Sequence, residues 1–314
     1  MTGDRKAAEL CNVVDTGNRE DAYQTLYRAM TAKVGAKSTV DKELVKKACM
    51  TSLYGSEAQP KEAFGTGPLL KAFYETMEEN APAAWELNSF YLEIWDSERY
   101  TYHWVMPDNG NIVIKVMDSD MTEVRFLDTT YEVISKVHRP KEKGRSLSAH
   151  TTHATDGLIV REMSRRCNYD MNQVLKVIEA LQQCDYDIDP KEGTDTDMVL
   201  ILWDLYEKSG YLSARILDHL TKDNAQLVDH DVIWELIESL PNKPFEVLSI
   251  HDCFRCLPGY GNDLRKQYNL QLHLIARSNL LSFLLTQIIG QECNVGKLDY
   301  TLAADILNAN YSLA

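Results

Sequence analysis

The period of the apolar residues changes along this chain, and that change constrains the fold more than any other feature. Up to residue 96 apolar side chains recur three and four positions apart, the spacing of one helix face. Ala7, Ala8, Leu10 and Cys11 form a first group and, after a break near Asp15-Thr16-Gly17-Asn18, Ala22, Tyr23, Leu26, Tyr27 and Met30 form a second. The same spacing predicts helices over residues 40–54, 68–79 and 82–96, with Asn18 as a cap and Gly55 ending the helix over 40–54. From Tyr100 the period becomes two: Tyr100, Tyr102 and Trp104 alternate with Thr101, His103 and Val105, and Pro107-Asp108-Asn109-Gly110 turns the chain into Ile112, Ile114 and Val116. This is a β-hairpin pattern. A second hairpin is expected over residues 123–137, turning at Asp128-Thr129-Thr130. Residues 164–244 return to the helical period, around an acidic stretch at 185–197. Residues 245–250 read as an apolar strand, and 262–291 as one long apolar helix. The sum is an α+β chain, mostly helical, with a small antiparallel sheet.

Composition narrows the function. Lys and Arg number 33 against 47 Asp and Glu, a net charge of −14, so the surface as a whole does not grip nucleic-acid phosphates. Any cationic channel must be local or shared with a partner. The basic stretch Lys136, Arg139, Lys141, Lys143, Arg145 either faces nucleic acid or is a solvated loop. No apolar run approaches the roughly 20 residues of a membrane span, and the first ten residues mix Asp4, Arg5, Lys6 and Glu9, unlike a signal peptide. A cytoplasmic protein with no membrane partner is the expectation. Seven scattered cysteines fit reduced thiols. The Cys253/Cys256 pair has no second pair or ligand-spaced histidines, which favours core thiols over a zinc site.

Three segments carry chemistry. In residues 41–56, Lys42 and Lys46 share a helix face, and Tyr54 follows Lys46 by eight residues, about 12 Å along a helix. That length suits a nucleoside triphosphate, with ammonium groups on the phosphates and an aromatic hydroxyl beside base and ribose. Gly55 allows a base to approach the backbone. An amphipathic helix with surface lysines and a glycine cap is the competing reading. In residues 245–258 an apolar strand leads to His251-Asp252 and apolar residues resume, which predicts a carboxylate at the tip of a buried hairpin. A divalent metal compensates such a charge, and two Mg²⁺ ions about 3.5–4 Å apart serve in-line phosphoryl transfer. A turn aspartate capping backbone amides is the alternative. In residues 150–161, His153 and Asp156 lie on one helix face, with a metal site or a helix cap as rival uses.

Together these strings resemble one family. Val45-Lys46-Lys47-x-x-Met50-Thr51-x-x-Tyr54-Gly55 is similar to motif B of the single-subunit DNA-directed RNA polymerases of phages and mitochondria. Ile250-His251-Asp252-Cys253-Phe254 is similar to their motif C, and His153-Ala154-Thr155-Asp156-Gly157 to their His-x-x-Asp-Gly helix. The order is the family's, with the Trp104–Asp108 hairpin between the first and third strings. The resemblance implies a right-hand palm-and-fingers fold and templated nucleotidyl transfer onto an RNA 3′ end. Asp252 would bind two Mg²⁺ ions and Lys46 the triphosphate. Tyr54 would select the ribose, with Lys42, Gly55 and Tyr23 also in the nucleotide site. His153, Asp156 and His251 would lie near template and hybrid. Lys42 stands where the family has arginine, keeping the charge and losing the two-pronged geometry.

The implied layout is residues 1–97 as fingers and palm helices, 98–163 as palm hairpins with the His-x-x-Asp-Gly helix, 164–244 as an inserted helical subdomain, and 245–314 as the motif C hairpin and terminal helices. The hairpin over 123–137 stands where the family carries its promoter-reading loop. Residues 310–314 resemble the family's apolar terminus, with a frayed tail as the alternative. Motif A, which supplies the other metal-binding aspartate, is expected on a second chain together with the thumb and amino-terminal region, with truncation of a longer chain as the rival explanation. The sequence resembles the second chain of a two-chain podophage middle-gene RNA polymerase. Its expected partners are that chain, a DNA template, the RNA product, nucleoside triphosphates and a single-stranded DNA-binding helper, in the host bacterial cytoplasm. A family A DNA polymerase fragment, or a non-catalytic nucleic-acid-binding or assembly subunit, are the alternatives.

Overall fold

Aspartate caps set where the first helices begin. In the computed structural model, which describes residues 1–35, 40–142, 146–250 and 253–313, Asp4 accepts from the amide of Ala7 ahead of α1 (Arg5–Leu10). Asp21 accepts from Gln24 ahead of α2 (Ala22–Val34), and Asp41 from Glu43 ahead of α3 (Lys42–Leu53). The cap of α2 is therefore Asp21 and not Asn18, because an N-cap must sit within reach of the first free amides. A short α4 (Ala58–Phe64) follows, which the apolar period does not mark. Prolines open both α5 (Pro68–Asn80) and α6 (Pro82–Glu93), where the missing N–H is not needed. Helices α2 to α5 close over Met30, Val45, Cys49, Phe73 and Met77.

The main core lies under the first hairpin, β1 (Thr101–Val105) and β2 (Asn111–Lys115), paired antiparallel with Tyr102 opposite Ile114 and Trp104 opposite Ile112. Alternation puts Tyr102 and Trp104 inside. They pack with the long α7 (Ser146–Cys167), whose Leu158 and Met163 are fully buried.

The second hairpin is longer than the sequence indicates. It pairs β3 (Met117–Phe126) with β4 (Thr129–His138) and turns at Leu127-Asp128, both at positive φ. Every residue from 121 to 136 is exposed, including Met121, Val124, Phe126, Tyr131, Val133 and Ile134. The arm carries five acids against two bases, an unfavourable balance for a surface that grips phosphates. At its base, Arg139 pairs with Asp118 at 2.7 Å and Asp120 at 2.8 Å, and Lys141 with Asp118 at 3.5 Å. These two cations of the basic stretch are thus neutralised locally, while Lys143 and Arg145 lie outside the described residues. Because the arm buries nothing in the core, replacing residues 121–134 by an Asn-Gly turn should leave the melting temperature within about 2 °C of the parent by calorimetry.

Residues after α7 build a separate core. Helices α8 (Met171–Gln182), α9 (Thr194–Ser209) and α10 (His230–Glu238) enclose Val177, Val199, Leu202, Ile216 and Ile233. The division placed at residue 164 falls inside α7, which runs unbroken to Cys167. Asp195 and Asp197, read as part of an acidic linker, stand in the first turn of α9, where acids suit the helix dipole.

Two expectations about the carboxy-terminal part need correction. Strands β5 (Leu248–Ile250) and β6 (Cys253–Arg255) form a short hairpin that is not buried: Leu248, Ile250 and Cys253 are exposed. Cys253 is therefore no core thiol, although Cys256 is half-buried against the main core. The long apolar helix is two, α11 (Gly261–Arg277) and α12 (Leu280–Ile289), meeting at a 58° bend. Ser278 adopts an extended backbone there, and the amide of Asn279 bonds the carbonyl of Ser209 at 2.8 Å, so a tertiary contact takes the place of a helical one. No single described helix is long and apolar enough to cross a membrane. Beyond α13 (Leu302–Ile306) the chain is tied down, since Ser312 bonds Asn269 and Leu313 packs against the main core. The architecture is α+β, about 54% helical with small antiparallel two-stranded sheets.

Candidate active site

Tyr54 is where α3 ends. It is the C-cap, followed by Gly55 at φ +83°, and this left-handed step turns the chain sharply after the helix. Gly55 is buried while Tyr54 is 41% exposed, its ring 5.2 Å from that of His153 between centroids. His153 and Asp156 project from the same face of α7, as their spacing requires. With Gly157, Ile159, Val160 and Arg161 they form one wall of a cleft of about 680 Å³. Ser249 of β5 and Phe254 of β6 contribute the motif C side, and Tyr268 of α11 joins them.

Segments about one hundred residues apart thus meet in one cleft: the end of α3, the middle of α7 and the flanks of the β5–β6 hairpin. His251 and Asp252 lie outside the described residues. The described residues hold no group of three or more His, Cys, Asp or Glu side chains fit for a metal ion, so the fit of a magnesium pair rests on Asp252 and on carboxylates beyond them.

The remaining nucleotide-site candidates gather elsewhere on α3. Lys46 is half-buried with its ammonium 5.7 Å from the centroid of the Tyr23 ring, a cation–π contact. Burial pushes the Tyr23 phenol up, keeping it neutral at physiological pH. Lys42 pairs with Asp21 at 3.3 Å. The cap amide of Gln24, with Lys42, holds the Asp21 carboxyl below its usual range. Lys42, Lys46 and Tyr23 do not line the cleft. They form a patch that begins about two helical turns from Tyr54.

One part of the site was given no role by the motifs, although the Trp104–Asp108 string and the 150–161 segment contain its first members. Asp108, in the β1–β2 turn and 1% exposed, receives Arg161 through two nitrogens at 2.5 and 3.0 Å and Arg165 at 2.9 Å. Burial raises the Asp108 carboxyl, and the two guanidinium groups outweigh it, leaving it below the ordinary carboxylate range. Glu162, 0% exposed, accepts from Arg165, Arg166, the hydroxyl of Ser213 and the amide of Ala214. This network ties the hairpin turn, α7 and the entry to the second core into one rigid support behind the cleft. Its signal in the sequence is the cluster Arg161, Glu162, Arg165, Arg166 on one helix.

No protein-family model matches the chain, and no curated protein sequence matches it.

Proposed function

We propose that this chain is the carboxy-terminal, catalytic part of a single-subunit-type DNA-directed RNA polymerase with a palm-and-fingers arrangement. It acts with a second polypeptide that supplies the other metal-binding aspartate, the thumb and the amino-terminal region. The observation that carries this reading is the convergence of Tyr54, the His153–Gly157 stretch and the Ser249 and Phe254 flanks on one cleft. Three strings that resembled the family only by accident would have no reason to share a cavity.

In this reading Asp252 is a metal ligand, and magnesium bound there with the partner's carboxylate would activate the RNA 3′-hydroxyl and offset charge on the triphosphate. The chain's own side chains bind and orient. Lys46, steadied over Tyr23, takes the triphosphate; Lys42 joins it only by leaving Asp21. Tyr54 presents its hydroxyl to the ribose, Gly55 leaves room for the template base, and His153, Asp156 and His251 border the hybrid. Helices α2 to α5 serve as fingers and the main core as palm, with template DNA, RNA and a single-stranded DNA-binding helper as further partners in a bacterial host's cytoplasm.

Lys46→Ala should raise the nucleotide concentration for half-maximal RNA extension roughly tenfold, with a smaller effect on the maximal rate, because it removes a binding charge. Initial rates of primer extension against nucleoside triphosphate concentration, in the presence of the partner chain, check this. An unchanged nucleotide dependence counts against the assignment.

A further inference from the structure

The roles above leave one cation of the cleft unused. Arg161 is the sole guanidinium among the described lining residues and stands one turn beyond Gly157 on α7. Its Nε and Nη2 are fixed on the buried Asp108 carboxylate, yet the side chain remains 37% exposed. Among the described residues Nη1 makes no ion pair.

Gly157 indicates that this edge is kept open, since a Cβ there would stand 3.2 Å from Nη1, whereas Gly110 makes room for the Asp108 pair itself, a Cβ there standing 3.0 Å from Nη2 and from the carboxylate. Glycine inside a helix costs about 1 kcal/mol relative to alanine. Gly157 has no positive φ to require it. The steric reason visible for it is therefore the guanidinium. A planar cation locked by one carboxylate, with its remaining edge open to a cleft, is prepared to hold a phosphate oxygen. The triphosphate is assigned above to Lys46, which lies outside this cleft. The phosphate left for the Arg161 edge is a backbone phosphodiester.

We infer that Arg161 binds one backbone phosphodiester of a nucleic-acid strand lying along α7, and that Gly157 keeps the guanidinium edge accessible to it. The inference rests on the nucleic-acid reading of the cleft and assigns a contact that reading lacks. Asp108 is then a positioning residue for Arg161.

The test is binding of a fluorescently labelled RNA–DNA hybrid to the full chain across a salt series, followed by anisotropy. Arg161→Gln should weaken binding about tenfold and lower the slope of log affinity against log salt by a little under one, the value of a single phosphate contact. Arg161→Lys should restore the slope and only part of the affinity. Gly157→Ala should weaken binding severalfold while leaving the melting temperature unchanged or raised, an outcome a merely structural role does not produce. An unchanged slope in Arg161→Gln, or parental binding by Gly157→Ala, with the wild type binding normally, overturns the assignment of Arg161 alone. Absence of salt-dependent binding by the wild type overturns it together with the nucleic-acid reading.

Discussion

Asp252→Asn is expected to lower RNA extension by the chain and its partner by roughly 10²- to 10³-fold or more, while leaving the fold intact. The substitution keeps size and shape and removes the charge that, in the proposed role, would hold divalent cations. A single electrostatic contact to a transition state is commonly worth that factor, and Asp252 as a metal ligand would supply such a contact. The measurement is the single-turnover rate of ribonucleotide addition to a primer on a DNA scaffold, with a melting curve to confirm folding. Parental activity in the variant would identify the chain as a non-catalytic subunit.

Glu162→Ala is expected to destabilise the protein by about 3–5 kcal/mol, the usual result of removing one partner from a buried charged pair. Arg166, 2% exposed, keeps the hydroxyl of Ser239 at 3.0 Å and the carbonyl of Leu212 at 3.4 Å, but loses its carboxylate. Ser213 and the amide of Ala214 lose their acceptor as well. In thermal denaturation this corresponds to a drop of roughly 5–10 °C for a chain of this size. Asp108 adds a pH signature of defined sign. Its folded-state carboxyl lies below the unfolded value, so its stabilisation is complete above the unfolded pKa and is lost as pH falls through the folded one. Asp108→Asn should therefore flatten the acid side of the stability profile. A melting point for Glu162→Ala within about 1 °C of the parent would mean that the network is not a structural support.

What the sequence discloses differs between fold and site. The switch of period at Tyr100 is unambiguous because Tyr102 and Trp104 are large apolar residues two apart, and both are buried. The bend between α11 and α12 leaves no such mark. Ser278-Asn279 contains neither proline nor glycine, and the break depends on a contact with Ser209, far away in the chain. The exposed β5–β6 flanks and the bare β3–β4 arm show a second limit, for alternation says which residues share a face and not whether anything covers it. Within the site, Tyr54 and His153 are legible as motif residues and do meet. Lys46 shares a helix with Tyr54, yet its turn of that helix carries it to the Tyr23 patch and out of the cleft. Asp108 is legible as a turn residue of the Trp104–Asp108 string and not as an ion-pair centre, because an aspartate in a hairpin turn already has a sufficient explanation in turn chemistry. Only the fold reveals that it faces Arg161 and Arg165.

Templated RNA synthesis is measured by supplying the chain, together with a partner chain carrying the second metal-binding aspartate, with an RNA primer annealed to a DNA template and either ribo- or deoxyribonucleoside triphosphates. The proposed polymerase role predicts extension dictated by the template, built from ribonucleotides in strong preference. Extension that favours deoxyribonucleotides, or none from a well-folded pair of chains, would contradict it.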